Sequence, residues 1–109
     1  MRLTPAHLDT ATAALRAVLP LKFPADSIIR NFFRENPKLG AGDRAFCAEI
    51  VFGILRHRFF LENAVHSPTP RSLLLAYLVK FHGLNLRELT PLVSEAEAKS
   101  LAGVKATSA

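Results

Sequence analysis

The chain has 109 residues, room for one domain and not for a second of similar size. Half of the residues are hydrophobic and 21% are charged, a globular composition that excludes intrinsic disorder; the longest stretches free of Asp, Glu, Lys and Arg, Asn63 to Pro70 and Ser72 to Val79, fall far short of the ~18 residues a membrane-spanning helix needs. Fourteen Lys and Arg against nine Asp and Glu give a net charge of +5, and residues 1–60 hold nine of those bases and only five of the acids, so a polyanionic partner fits the N-terminal half.

Arg2, Asp9 and Arg16 interrupt the N-terminus, leaving no apolar core for a secretory signal. The one cysteine, Cys47, has no partner for an internal disulfide, so a reducing, cytoplasmic setting is expected and no membrane partner. Proline and glycine divide the chain into helical segments, and no run of strict apolar and polar alternation supports a sheet. The expected fold is all-α, a compact bundle of five or six helices.

Thr4 before Pro5 reads as an N-cap with proline at the first helical position, and Leu8, Ala11, Leu15 and Val18 line one face until Pro20. A second helix starts near Pro24; Ile28, Ile29, Phe32 and Phe33 form its buried stripe, with Arg30 and Arg34 a turn apart on another face. After Asn36 to Gly40, a long helix runs from about Gly42 to Arg56 and reads as the central one. Its arc is Cys47, Ile50, Val51, Ile54 and Leu55; Phe52 projects from the opposite side, and Gly53 suggests a close helix crossing. Either this helix breaks near His57 or Arg58 is partly buried and paired with a carboxylate.

Phe59 to His66 reads as a short continuation, and Thr69-Pro70 repeats the cap-and-proline start for a helix with Leu74, Leu78 and Phe81 inside and Gly83 as its stop. Asn85 caps a short helix over Leu86 to Leu89. Ser94-Glu95-Ala96-Glu97 has capping-box spacing for a last helix ending near Gly103. Residues 1–103 are therefore expected to form the domain, and 104–109 a disordered tail or the start of a linker.

No G-x-G-x-x-G, phosphate loop or strand-turn-helix pattern is present, so no cofactor site is expected in this chain. His7, His57, His66 and His82 lie on separate elements without ligand spacing, so no metal site is assigned. Cys47 falls on an apolar arc, where a free cysteine acts as a small hydrophobe. Asp43 and Glu49 sit on different faces of the long helix and do not form an acid/base dyad. No catalytic residue is assigned.

The positive signal is basic: Arg30, Arg34, Lys38, Arg44, Arg56 and Arg58 are the candidate phosphate-binding residues. Asp26, one turn before Arg30, offers a surface ion pair as the alternative for part of this set. Phe59 and Phe60, beside Arg56-His57-Arg58, are candidates for stacking on unpaired bases, although adjacent aromatics are more often core.

The run Leu39-Gly40-Ala41-Gly42-Asp43-Arg44-Ala45-Phe46-Cys47-Ala48-Glu49-Ile50-Val51-Phe52-Gly53-Ile54-Leu55-Arg56-His57-Arg58 resembles the NusB-like N-terminal domain of the RsmB/Sun family of ribosomal RNA cytosine-C5 methyltransferases. Asp43-Arg44 and Glu49 to Arg56 match the family pattern, with Phe52 where tyrosine is usual. The resemblance is specific over residues 39–62 and looser from about 8 to 90. It implies an all-helical RNA-binding or substrate-positioning domain that precedes an S-adenosylmethionine domain, with ribosomal RNA and its own C-terminal methyltransferase half as partners and S-adenosylmethionine as the cofactor of the parent enzyme. The family's cysteine nucleophiles belong to that catalytic half, and Cys47 matches neither. The Phe-Val-Asn-x-Val-Leu-Arg motif common late in such domains has no counterpart in residues 84–109, so no RNA contact from the last helix carries over. Two other readings compete: a stand-alone NusB-like antitermination factor, and a protein-interaction module whose Arg44, Arg56 and Arg58 are spent on salt bridges to Asp43, Glu49 and Glu62.

Overall fold

A computed structural model describes residues 2–107 of the chain. Every regular element among them is helical: α1 (Pro5–Val18), α2 (Ala25–Glu35), α3 (Ala41–Arg56), α4 (Arg58–Ala64), α5 (Pro70–Lys80), α6 (Leu86–Leu89), a single 3₁₀ turn (Thr90–Leu92) and α7 (Glu95–Ala106). The all-α expectation holds, with more pieces than five or six because the short segments around α4 and α6 stand as separate helices. The radius of gyration, 13.4 Å, is that of one folded unit of this size.

Local chemistry sets most of the boundaries. Thr4 and Thr69 each accept the N–H of the residue three positions on, with proline at the start of the helix. Asn85 and Ser94 cap α6 and α7 in the same reciprocal way, with Glu88 and Glu97 reaching back. Gly83, at φ +83°, turns the chain after α5, and the amide of Leu84 bonds back to the Leu78 carbonyl.

The central helix is α5, and the expectation that the long helix α3 would hold that place is corrected. Leu73 through Val79 are all buried, so α5 is apolar around its whole circumference and touches α1, α3, α4 and α7. Sequence periodicity found only its stripe of Leu74, Leu78 and Phe81. Against it pack Leu8, Leu15 and Val18 of α1, Ile50, Val51 and Ile54 of α3, Leu61 of α4, and Leu101 and Val104 of α7. The stripe assigned to α2 is shallower than expected: Ile29 is buried, whereas Ile28, Phe32 and Phe33 are half-buried at the edge of the core.

Two further corrections concern the ends of helices. α7 does not stop at Gly103 but runs to Ala106; Val104 enters the core, and Lys80 donates to the carbonyls of Lys105 and Thr107, fastening that end onto α5. The part of the expected tail beyond residue 107 lies outside the described residues. Between α3 and α4 the chain breaks at His57, and Arg58 is also partly buried and paired. Both branches of that alternative are realised at once.

Candidate nucleic-acid interface

The six basic candidates divide by what surrounds them. Arg58 is built into the fold: its Nε lies 3.3 Å from Glu62 Oε2 one turn along α4, and its Nη1 donates to the Leu19 carbonyl at 3.3 Å, tying the start of α4 to the end of α1. That bond satisfies one of the carbonyls left open where α1 ends. Arg30 stands at 3.7 Å from Asp26, with both side chains 67% exposed, a surface pair of small energetic consequence. Arg34, Lys38, Arg44 and Arg56 are exposed, and none makes an ion pair among the described residues.

The two carboxylates of α3 lie beside histidines of other segments. Asp43 faces His7 of α1, Oδ1 to Nε2 3.4 Å, and Glu49 faces His82 beyond α5, Oε1 to Nδ1 3.4 Å. Phe46, between them on the same helix, meets both imidazoles edge-on, with centroids at 6.0 and 6.1 Å. The pairs of Arg44 and Arg56 with Asp43 and Glu49 that the interaction-module reading needs do not form among the described residues, and the two guanidinium groups are left to solvent. Glu35, the acid nearest Arg34 in sequence, is engaged by the Asn31 side-chain amide at 2.9 Å.

The basic residues are spread over two helices and the turn between them and are not gathered in a single pocket. Arg30 and Arg34 are one turn apart on α2, and Lys38 follows in the turn closed by the Leu39 amide on the Asn36 carbonyl at 3.1 Å. Arg44 and Arg56 lie in the first and last turns of α3, separated by ~18 Å along its axis at 1.5 Å per residue, so they cannot hold the same phosphate.

The sequence reading missed the roles of three histidines. His7 replaces the usual Glu or Gln in a capping box: its Nδ1 accepts the Thr4 N–H at 3.0 Å. Because a backbone N–H only donates, Nδ1 is the bare nitrogen, which leaves the ring hydrogen on Nε2, the atom 3.4 Å from Asp43 Oδ1. His82 is held against Glu49, and His57 stacks on Phe81 with centroids 3.9 Å apart and planes inclined by 11°. Only the Thr4-x-x-His7 spacing left a trace in the sequence.

Cys47 is buried, and burial, with the Asp43 charge as a smaller contribution, pushes its thiol up to about 11. A thiolate is thus disfavoured at neutral pH. No group of three or more His, Cys, Asp or Glu side chains converges among the described residues, and no helix there is long and apolar enough to cross a membrane. Comparison with protein-family models, curated proteins and solved structures finds no match for this chain.

Proposed function

We propose that this chain is an RNA-binding, substrate-positioning domain that docks phosphates along α2, the following turn and α3, with no catalytic group of its own. The observation that carries the reading is that Arg34, Lys38, Arg44 and Arg56 are exposed and make no ion pair among the described residues, while Glu35 accepts from Asn31 and Asp43 and Glu49 face histidines at 3.4 Å. Arg30 joins this set as an exposed residue whose pairing with Asp26 is weak. Arg58 is better accounted for as part of the fold, since it is held by both Glu62 and Leu19. The resemblance over Leu39 to Arg58 extends the proposal: the domain is the NusB-like module of an S-adenosylmethionine-dependent ribosomal RNA cytosine-C5 methyltransferase, with chemistry left to a separate catalytic half.

The stand-alone antitermination factor would use the same basic track, whereas the interaction-module alternative required Arg44, Arg56 and Arg58 all to be paired. Only Arg58 is. Fluorescence anisotropy of a labelled ribosomal RNA hairpin, repeated over a series of salt concentrations, tests the docking. Each contacting base contributes ~0.7–0.9 to the slope of log affinity against log salt. Arg34→Gln, Lys38→Gln, Arg44→Gln and Arg56→Gln should each weaken binding and reduce that slope, and Arg16→Gln on α1 serves as a control for general charge loss. Unchanged slopes in all four variants would contradict the proposal.

A further inference from the structure

Two aromatic side chains stand out of the surface, Phe23 at 69% and Phe59 at 84% exposure. The segments that carry them are tied together, because Arg58, next to Phe59, donates to the carbonyl of Leu19, four residues before Phe23 in the corner between α1 and α2. Phe60, next to Phe59 in sequence, turns inward and packs edge-on against Phe81 at 5.5 Å, so the adjacent pair is split into one core ring and one solvent ring. At the corner itself lies a hollow of about 510 Å³ whose lining includes Lys22, Phe23, Ser27, Ile28 and Asn31. That volume falls within the ~300–1,000 Å³ of small-ligand pockets. The corner backbone is held in an unusual shape: Leu21 has φ +50°, the left-handed region, and is half exposed.

We propose that this corner and the start of α4 form a stacking platform for the unpaired bases of single-stranded RNA, with Phe23 and Phe59 supplying the faces and Lys22 and Arg56 meeting the intervening phosphates. The proposal rests on the nucleic-acid reading above and adds to it the class of RNA and the place where bases, not phosphates, are read. Charge favours this occupant over an apolar protein segment. Lys22 and Arg56 are exposed and make no ion pair among the described residues, and of the nearby acids Glu62 is held by Arg58, while Asp26 is exposed and shares only a weak surface pair with Arg30. Aromatic rings set among bases of this kind are what sequence-tolerant single-strand binding uses, because every nucleobase has a π-face.

The test uses a fluorescein-labelled oligouridylate of ~4–16 nucleotides, the usual span of such a platform, and an abasic ribose-phosphate oligomer of equal length. The oligouridylate should bind about fivefold or more tightly than the abasic chain, and Phe23→Ala and Phe59→Ala should each lower its affinity by about fivefold or more while leaving the abasic chain unaffected. Phe→Tyr at either position should keep the preference, and Phe→Leu should lose it. Both rings are exposed, so the circular dichroism and melting of these variants should match the parent chain, and the Tyr and Leu variants carry the comparison should an Ala variant lose its fold. Equal binding of the two oligomers with normal salt dependence would overturn the platform and leave the phosphate track standing. Full retention of the preference in Phe→Leu would overturn it in favour of apolar docking, and absence of binding to either oligomer at low salt would overturn both readings.

Discussion

Tyr77 of α5 lies over Gly53 of α3, its ring and hydroxyl filling the space that a side chain at position 53 would take. Tyr77 is itself buried among His57, Phe81 and His82, so it has no free direction in which to swing. Gly53→Ala would gain ~1 kcal/mol of helix propensity and lose more than that to overpacking, which costs ~1–3 kcal/mol when the neighbours can adjust and more when they cannot. A net loss of about 1–2 kcal/mol in denaturant unfolding is expected. Combining it with Tyr77→Leu should bring less than the sum of the two single losses, because the smaller side chain relieves the overlap.

The Arg71 guanidinium joins the N-terminal turn of α5 to α7. Its Nε donates to Glu97 Oε2 at 2.6 Å, and its Nη1 stands 3.8 Å from Asp9 of α1. The hydrogen bond from Arg71, helped by those from Ser94, holds the Glu97 carboxyl below its ordinary range against an opposing effect of burial. A carboxyl with a depressed folded-state pKa stabilises the fold above its unfolded pKa, near 4.3, and loses that contribution as pH falls through the folded value. Glu97→Gln should therefore cost about 1 kcal/mol at pH 7, a figure kept small because both side chains are about one-third exposed. The difference between the two proteins should close as pH is lowered below 4, as followed by thermal unfolding.

At His7 the imidazole does the work of a glutamine in the cap of α1. His7→Gln keeps an acceptor for the Thr4 amide and should stay within about 0.5 kcal/mol of the parent chain. His7→Ala removes that arm together with the contact to Asp43 and should lose about 1 kcal/mol. Chemical denaturation of the two variants side by side checks the ordering.

Because the Cys47 thiol is buried and raised to about 11, it should resist a thiol-specific disulfide reagent at pH 8 in the native protein and react in denaturant. The native rate should follow the opening of the fold, so destabilising variants such as Gly53→Ala should label faster in proportion. Rapid labelling of the folded chain, independent of stability, would contradict the burial.

What was legible in the sequence was local. Thr4, Thr69, Asn85 and Ser94 cap their helices through residues three positions away, and Glu62 answers Arg58 one turn on, so spacing alone carries the information. The central position of α5 was not legible. A helix buried on all sides has no single periodic stripe, and the stripe found in α3 drew attention to the wrong helix. The path of α7 past Gly103 depends on the core accepting Val104 and on Lys80 of α5 holding the end, neither of which is a neighbour in the chain.

The candidate interface divides in the same way. That Arg30 would be answered by Asp26 followed from their spacing, whereas the meeting of Asp43 with His7 of α1 and of Glu49 with His82 after α5 joins residues far apart in the chain. Arg71 and Glu97, 26 positions apart, meet only in the folded chain. Phe59 and Phe60, adjacent on α4 and so about 100° apart around it, divide between solvent and Phe81.

The proposed docking of RNA phosphates runs over the basic residues of α2, its following turn and α3. It is tested most directly by residue-resolved NMR titration of the domain with a ribosomal RNA hairpin at low and at near-physiological salt. Shifts concentrated on Arg34, Lys38, Arg44 and Arg56, diminishing as salt rises, are the predicted result. An unperturbed spectrum at low salt, or shifts confined to Arg71 and α7 on the other flank of α5, would contradict it.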